Sequence, residues 1–523
     1  MPSHALLLVR YVLFAVLVGL SSHLFAEPPK SEQLAGRIAE VINGPDYKHA
    51  HWGLLVVDLD SGETVYELNA DKLFAPASTT KLFSTATALD TLGADFRFET
   101  PVFRIGDVGE RGELLGDLIV VASGDLTFGG RTDGHDKIVF KDSDHTYANG
   151  NTTAELTDPD PLAGINELAR QVHAAGIRRV RGDVLIDDRL FDKAEGSGSG
   201  PSSLTPIIVN DNVIDIIVTP ASPGEPARVT SRPETSLYQI DALVDTVEKG
   251  ADTRVNVARA GSGRITVRGQ IPIGHKPLVR VHEVDDAAAF ARGLFIESLR
   301  RTGVIVDASP LAPQSNRLPR PAADQLKQIA TLRSPPFSEE IKLILKVSHN
   351  LHASTLPLLV ATKHGRRSLA DGLRYQHDFL ARVGVDVDTI SFGGGAGGSR
   401  ADYSTPRATV QLLRAMSKRP DFAVYEAALP VLGVDGTLTT SVAPDSPARG
   451  KVQAKTGTLY WDNVMNGRFV VTSKALAGYM TTSHDRRLAF AMFVNNTHIQ
   501  KSSETSREGK TLGRLCEIIV AEQ

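Results

Sequence analysis

Three short elements carry residues with acyl-transfer chemistry, in the order Ser78-x-x-Lys81, Ser348-x-Asn350 and Lys455-Thr456-Gly457. A serine hydroxyl is a weak nucleophile until a neighbouring base takes its proton. Residues three apart on a helix share a face, so Ser78 and Lys81 would bring hydroxyl and amine together. Lys81 serves as that base when neutral, and burial together with a second cation such as Lys455 pushes its pKa down. A helix start at Ser78 also aims backbone N–H groups at a reacting carbonyl oxygen. Ser348 and Asn350, two apart on a loop or strand, point the same way, one as a proton relay and one to hold substrate or lysine. Lys455-Thr456-Gly457 follows Val452-Gln453-Ala454 and reads as a strand, whose glycine leaves room for a ligand backbone and whose lysine and threonine suit a carboxylate.

Taken singly, each element has a plain structural reading. Ser-x-x-Lys could be a solvated helix turn, Ser-x-Asn a helix cap and Lys-Thr-Gly an ordinary strand end. Ser78-x-x-Lys81, however, is the sequence's only such pair and lies in an apolar stretch, Phe74 to Ala86, with Pro76 just before the helix.

The elements that must position these groups come from both ends of the chain. Trp52 to Leu68 predicts a hairpin around Asp60-Ser61-Gly62-Glu63, and Ala477–Thr482 with Leu488–Asn495 predicts a second. Helical patterns run from Phe337 towards Val347, from Leu373 to Val383, and through Leu512, Leu515 and Ile519. From about Arg97 to Pro319 short β-rich segments punctuated by glycine and proline predict an insertion. Within it, helices Leu162–Ala175 and Ala287–Arg301 stop at Gly176 and Gly303. Gly196 to Gly200 reads as a flexible loop.

At 523 residues the chain exceeds one hydrophobic core. With 41% hydrophobic and 23% charged residues it is globular, and a net charge of -4 offers no footprint for nucleic acid. Cys516 is the only cysteine, which excludes an intrachain disulfide and a cysteine-built zinc site. Arg10 and the apolar run Tyr11 to Leu20 read as a secretory signal ending near Ala26. Leu24 is a poor match to a cleavage site, so an uncleaved, membrane-associating anchor is the alternative.

Three decoys are set aside. Gly393, Gly395 and Gly398 satisfy a dinucleotide pattern without the surrounding βαβ unit. Gly196 to Gly200 has Gly198 where a nucleophile elbow needs serine. His349 and His352 have helical metal-ligand spacing but no carboxylate partner in the H-E-x-x-H pattern, so no metal is expected.

The three elements in this order form the set of penicillin-binding proteins and class A β-lactamases. Phe74–Lys81, Gly433-Val434-Asp435-Gly436-Thr437-Leu438 and Ala454–Leu459 resemble the class C low-molecular-mass penicillin-binding proteins, D-Ala-D-Ala carboxypeptidases that often also act as endopeptidases. The likeness extends through Gly182–Asp188 and Val209–Asn212, and the long gap between Lys81 and Ser348 separates it from compact β-lactamases.

The resemblance implies an α+β multidomain fold: an antiparallel sheet with helices on both faces, carrying a long β-rich insertion. Residues 1–26 would be signal or anchor, 27–96 plus 321–523 the catalytic domain, and 97–320 an insertion of two small domains. Ser78 would be acylated, Lys81 its base and Ser348 the proton relay. Asn350, Lys455, Thr456, Gly457 and Thr458 would hold substrate, and the N–H groups of Ser78 and Thr458 would form the oxyanion hole. The implied substrates are peptidoglycan stem peptides in the periplasm or cell envelope, with β-lactams as covalent inhibitors and no cofactor. A β-lactamase or esterase on the same scaffold, and a non-catalytic peptidoglycan-binding module, are the rivals.

Two segments depart from the family pattern. Gly393 to Arg400 replaces a loop that commonly reads Asp-Gly-Ser-Gly-Leu-Ser-Arg, which bears on side-chain preference. His349 stands where the family often has an acid, which bears on the pH profile.

Overall fold

The computed structural model describes residues 30–314, 318 and 326–522. The expected signal, residues 1–26, and the expected boundary at 320/321 lie outside them. No helix among the described residues is long and apolar enough to cross a membrane.

Both ends of the chain build one antiparallel sheet, in the order Thr64–Leu68, His51–Asp58, Arg487–Asn495, Arg468–Thr481, Val452–Asn463. Thr497–Ile499 adds to the far part of Arg468–Thr481. The predicted first hairpin is present, with Val56 opposite Tyr66. Asp58 closes its turn by accepting from the N–H groups of Asp60 and Ser61 at 3.1 and 2.9 Å. The last hairpin is longer than the sequence pattern suggested. Its first strand begins at Arg468, and buried runs such as Ala475–Met480 lack the alternation that marks a half-exposed strand.

Period-two alternation sorts this sheet between two layers. Leu54 and Val56 face the helices Lys30–Ile42 and Thr505–Glu522, packing with Leu34, Ile38, Leu512, Leu515 and Ile519. Leu55 and Val57 belong to the opposite core, with Leu82 and Phe83 of helix Thr80–Leu92, Ile341 of Phe337–Lys346 and Leu356 of Asn350–Lys363. Helix Leu369–Arg382 starts before the predicted Leu373, because Ser368 caps it by accepting from the Asp371 N–H.

A four-stranded sheet in the order Lys327–Arg333, Glu99–Arg104, Leu118–Val121, Val184–Asp187 takes its last three strands from the inserted region and its first from beyond residue 320. The insertion's two predicted helices form at Ala163–Ala174 and Ala287–Arg301. Two further three-stranded sheets follow, and one apolar core runs through Val120, Ile216, Val267 and Phe295. Lys327–Arg333 hydrogen-bonds to Glu99–Arg104, so the chain's way out and way back are neighbours in one sheet.

Candidate active site

Ser78 sits in a single 3-10 turn, Ala77–Thr79, that runs into the helix Thr80–Leu92. The serine is therefore one turn ahead of the α-helix proper, and Ala77 takes a left-handed φ of 48° to make the entry. Lys81, one turn on, is fully buried. Its amine lies 2.8 Å from Ser78 Oγ, 2.8 Å from Asn350 Oδ1 and 2.9 Å from the Ala396 carbonyl oxygen. Burial lowers its pKa to about 7, against the opposing pull of Asp402. Near neutrality a substantial fraction is the free amine, with a lone pair available for the serine proton.

Asp402 is the acid of this pair. Its carboxylate accepts from the N–H groups of Gly393 and Ser399 at 2.7 and 2.8 Å, and burial raises it to about 6 despite those bonds and Lys81. It clips together the glycine-rich loop that presents the Ala396 carbonyl to Lys81.

Ser348 and Asn350 do not share a strand. Ser348 has a left-handed φ of 69°, and Asn350 opens the helix Asn350–Lys363. That geometry sends the two side chains to two different lysines: Ser348 Oγ is 2.9 Å from Lys455 Nζ, while Asn350 takes Lys81. Lys455 also donates to the Thr456 carbonyl at 2.8 Å. Burial, then repulsion from Lys81 and Lys474, holds its pKa well below the usual lysine range.

Lys455, Thr456, Gly457 and Thr458 lie on strand Val452–Asn463, as the sequence predicts. Ser78, Ser348, Asn350, Thr456 and Thr458 line one cavity of about 240 Å³. Gly457 meets the turn beneath it. A Cβ there would stand 2.6 Å from the Pro76 carbonyl oxygen and 3.1 Å from Ala77 Cβ, so its bare backbone lets the strand pass the Ser78 turn.

Sequence reasoning missed the insertion's share of this cavity. Asp142 and Tyr147 also line it. Asp142 accepts from the Gly436 N–H at 2.6 Å and from the Thr439 hydroxyl at 2.8 Å, fixing the turn Gly436–Leu438 whose Thr437 hydroxyl is 2.8 Å from that of Thr456. Tyr147 donates to the Ser348 carbonyl. The Gly196–Gly200 segment also packs onto the site: a Cβ on Gly200 would lie 2.6 Å from Asn350 Cβ, and one on Gly198 2.4 Å from the Gly398 carbonyl oxygen.

A buried, pKa-lowered lysine on a serine, braced by a second serine–lysine pair, is equipment for acylating the first serine. The model of the D-Ala-D-Ala carboxypeptidase 3 (S13) family matches residues 34–513. The chain belongs to that family. It is 30% identical over 504 residues to a D-alanyl-D-alanine carboxypeptidase of Actinomadura sp. (strain R39), covering 91% of this chain and 84% of that one. It is 25% identical to D-alanyl-D-alanine carboxypeptidase DacB of Haemophilus influenzae, covering 85% of each. Among solved structures, penicillin binding protein 4 (dacB) from H. influenzae superposes with a TM-score of 0.67 at 21% identity, covering 91% of this chain and 98% of that one. The same protein complexed with a β-lactam gives 0.63 at 20%, covering 93% and 99%. These likenesses establish the penicillin-binding, α+β fold with its β-rich insertion.

Proposed function

We propose that this S13 peptidase is a serine D-Ala-D-Ala carboxypeptidase of the cell envelope, working through an acyl-Ser78 intermediate. The observation that carries the assignment of residues is the 2.8 Å contact between the buried amine of Lys81 and Ser78 Oγ. In acylation, neutral Lys81 takes the Ser78 proton as Oγ bonds to the carbonyl carbon of the penultimate D-Ala. The carbonyl electron pair moves onto oxygen, where the N–H groups of Ser78 and Thr458 meet it. As the pair returns, the C–N bond breaks and the terminal D-Ala nitrogen takes the Ser348 hydroxyl proton; the proton Lys81 took from Ser78 restores that hydroxyl, which Lys455 holds in place, and Lys81 is neutral again. Water then attacks the ester as neutral Lys81 takes its proton, and when the C–O bond to Ser78 breaks Lys81 returns that proton to Oγ, releasing the acid.

Asn350 holds Lys81 in line, and Thr456 lies where it would meet the terminal carboxylate. The same acylation opens a D,D cross-link when the leaving amine belongs to a neighbouring stem peptide. A β-lactam carbonyl acylates Ser78 equally, but its leaving nitrogen stays tethered, so the ester persists.

The inserted region 97–320 is proposed as a wall of the catalytic unit, 27–96 plus 321–523, since Asp142 and Tyr147 reach the cavity from it. Export would rest on the apolar run Tyr11 to Leu20. Release of D-Ala from an N-acylated L-Lys-D-Ala-D-Ala peptide, followed by mass spectrometry, tests the activity. Loss of one D-Ala per peptide is expected from the wild type, and an intact peptide would contradict the reading.

A further inference from the structure

Between Ser348 and Asn350 stands His349, whose ring meets the inserted region. Its Nε2 lies 3.2 Å from Asp211 Oδ1, and the Nε2 of His352, one turn along the same helix, lies 2.9 Å from that oxygen. All three residues are buried. Asp211 occupies a turn in which Asn210, Asp211 and Asn212 all take left-handed φ, at 48°, 52° and 56°. Such a run of non-glycine residues persists only where its surroundings over-determine it. Here Asn210 donates to the Val213 carbonyl at 2.9 Å and to Asp215 at 3.2 Å, and Asn212 donates to the Ile207 carbonyl at 3.2 Å.

The other oxygen of Asp211 is taken. Arg131 reaches Oδ2 through Nη2 at 2.5 Å and Nε at 3.1 Å, and His145 Nε2 is 2.9 Å away. Arg131 also pairs with Asp144 at 2.6 Å, and His145 Nδ1 with Asp215 at 2.5 Å. The carboxylate is thus aimed, with Oδ1 presented to the two histidines.

One oxygen and two nitrogens within 4.8 Å also have the composition of a metal site, and the carboxylate missing from the sequence pattern comes from the insertion. The residues do not fit one. The two imidazoles are stacked, centroids 3.7 Å apart and planes 22° from parallel, so their in-plane lone pairs run side by side instead of converging on an ion about 2.0–2.1 Å away. His349 Nδ1 already accepts from the His352 N–H at 3.4 Å, so that nitrogen is spent on capping the helix Asn350–Lys363. Asp211 Oδ1 is the hydrogen-bond partner of His352, and His349 Nε2 approaches it at 3.2 Å without making a hydrogen bond.

We propose that Asp211 is a positioning residue for acyl transfer: fixed by Arg131 and His145, it hydrogen-bonds His352, against which His349 is stacked and capped, and thereby holds Ser348 on Lys455 and Asn350 on Lys81. The insertion then sets the proton-relay half of the site through a residue that touches no substrate. This rests on the acyl-Ser78 reading.

The test is a double-mutant cycle on the mature full chain, scored by kcat, KM and the second-order rate of β-lactam acylation. Asp211→Asn and His352→Ala should each lower kcat and acylation at least tenfold with KM within threefold. Together they should cost little more than either alone, since both cut one link. His352→Gln, which keeps a side-chain N–H, should recover at least tenfold over His352→Ala, and that comparison stands even if Asp211→Asn does not fold. Effects that simply multiply, an unchanged His352→Ala, or stoichiometric zinc retained through purification would each overturn the proposal. A wild type that takes no β-lactam label would instead sink the acyl-transfer reading, so the two failures are distinguishable.

Discussion

The backbone of Gly457 passes the Pro76 carbonyl so closely that a single added methyl carbon would stand 2.6 Å from its oxygen. The strand Val452–Asn463, proposed to hold substrate, and the turn that carries Ser78 are therefore set against each other through a position with no side chain. Gly457→Ala should displace one from the other. We expect destabilisation of about 1–3 kcal/mol from overpacking and a fall of about tenfold or more in β-lactam acylation, read by thermal melts and stopped-flow labelling.

Lys81 is the base in this account, so Lys81→Met, similar in length but unable to take a proton, should slow acylation by about 10²–10⁴-fold, the usual contribution of a general base. Intact mass after a long incubation checks that the residual product is still on serine.

The pH dependence follows from the same lysine. Its pKa is lowered to about 7, and the reactive form is the neutral amine, so acylation should rise with pH through about 7 and then level. Asp402 raises the Lys81 pKa by its charge. Asp402→Asn removes that charge, and the rising limb should move to lower pH in the pH–rate profile. A limb that stays in place would show that the lysine does not set it.

Asp142 reaches from the insertion to fix the Gly436–Leu438 turn and, through Thr437, Thr456. Asp142→Ala leaves the Gly436 N–H and Thr439 hydroxyl without their acceptor. KM for the peptide should rise about tenfold with kcat less affected, as expected for a loss of substrate positioning. Steady-state kinetics on the peptide decides this.

The part of the site legible in the sequence was the part written in local spacing. Ser78 and Lys81 meet because i and i+3 share a helical face, and Lys455, Thr456 and Thr458 fall on a strand because the preceding run is one. What escaped reading is non-local or anonymous. The Ala396 carbonyl on Lys81 is a backbone group with no residue signature. Asp211 lies 141 residues from His352, so no spacing rule could supply the carboxylate that the histidine pair lacked. The left-handed Ser348, which splits Ser348 and Asn350 between two lysines, is dictated by packing and not by a glycine or asparagine at that position.

Whether Ser78 is the residue acylated is decided by intact mass spectrometry of the mature protein and its Ser78→Ala variant after treatment with benzylpenicillin. A single adduct of one penicillin is expected on the wild type, mapped to the peptide containing Ser78, and none on the variant. An adduct on the variant, or a folded wild type that takes none, would contradict acylation at Ser78.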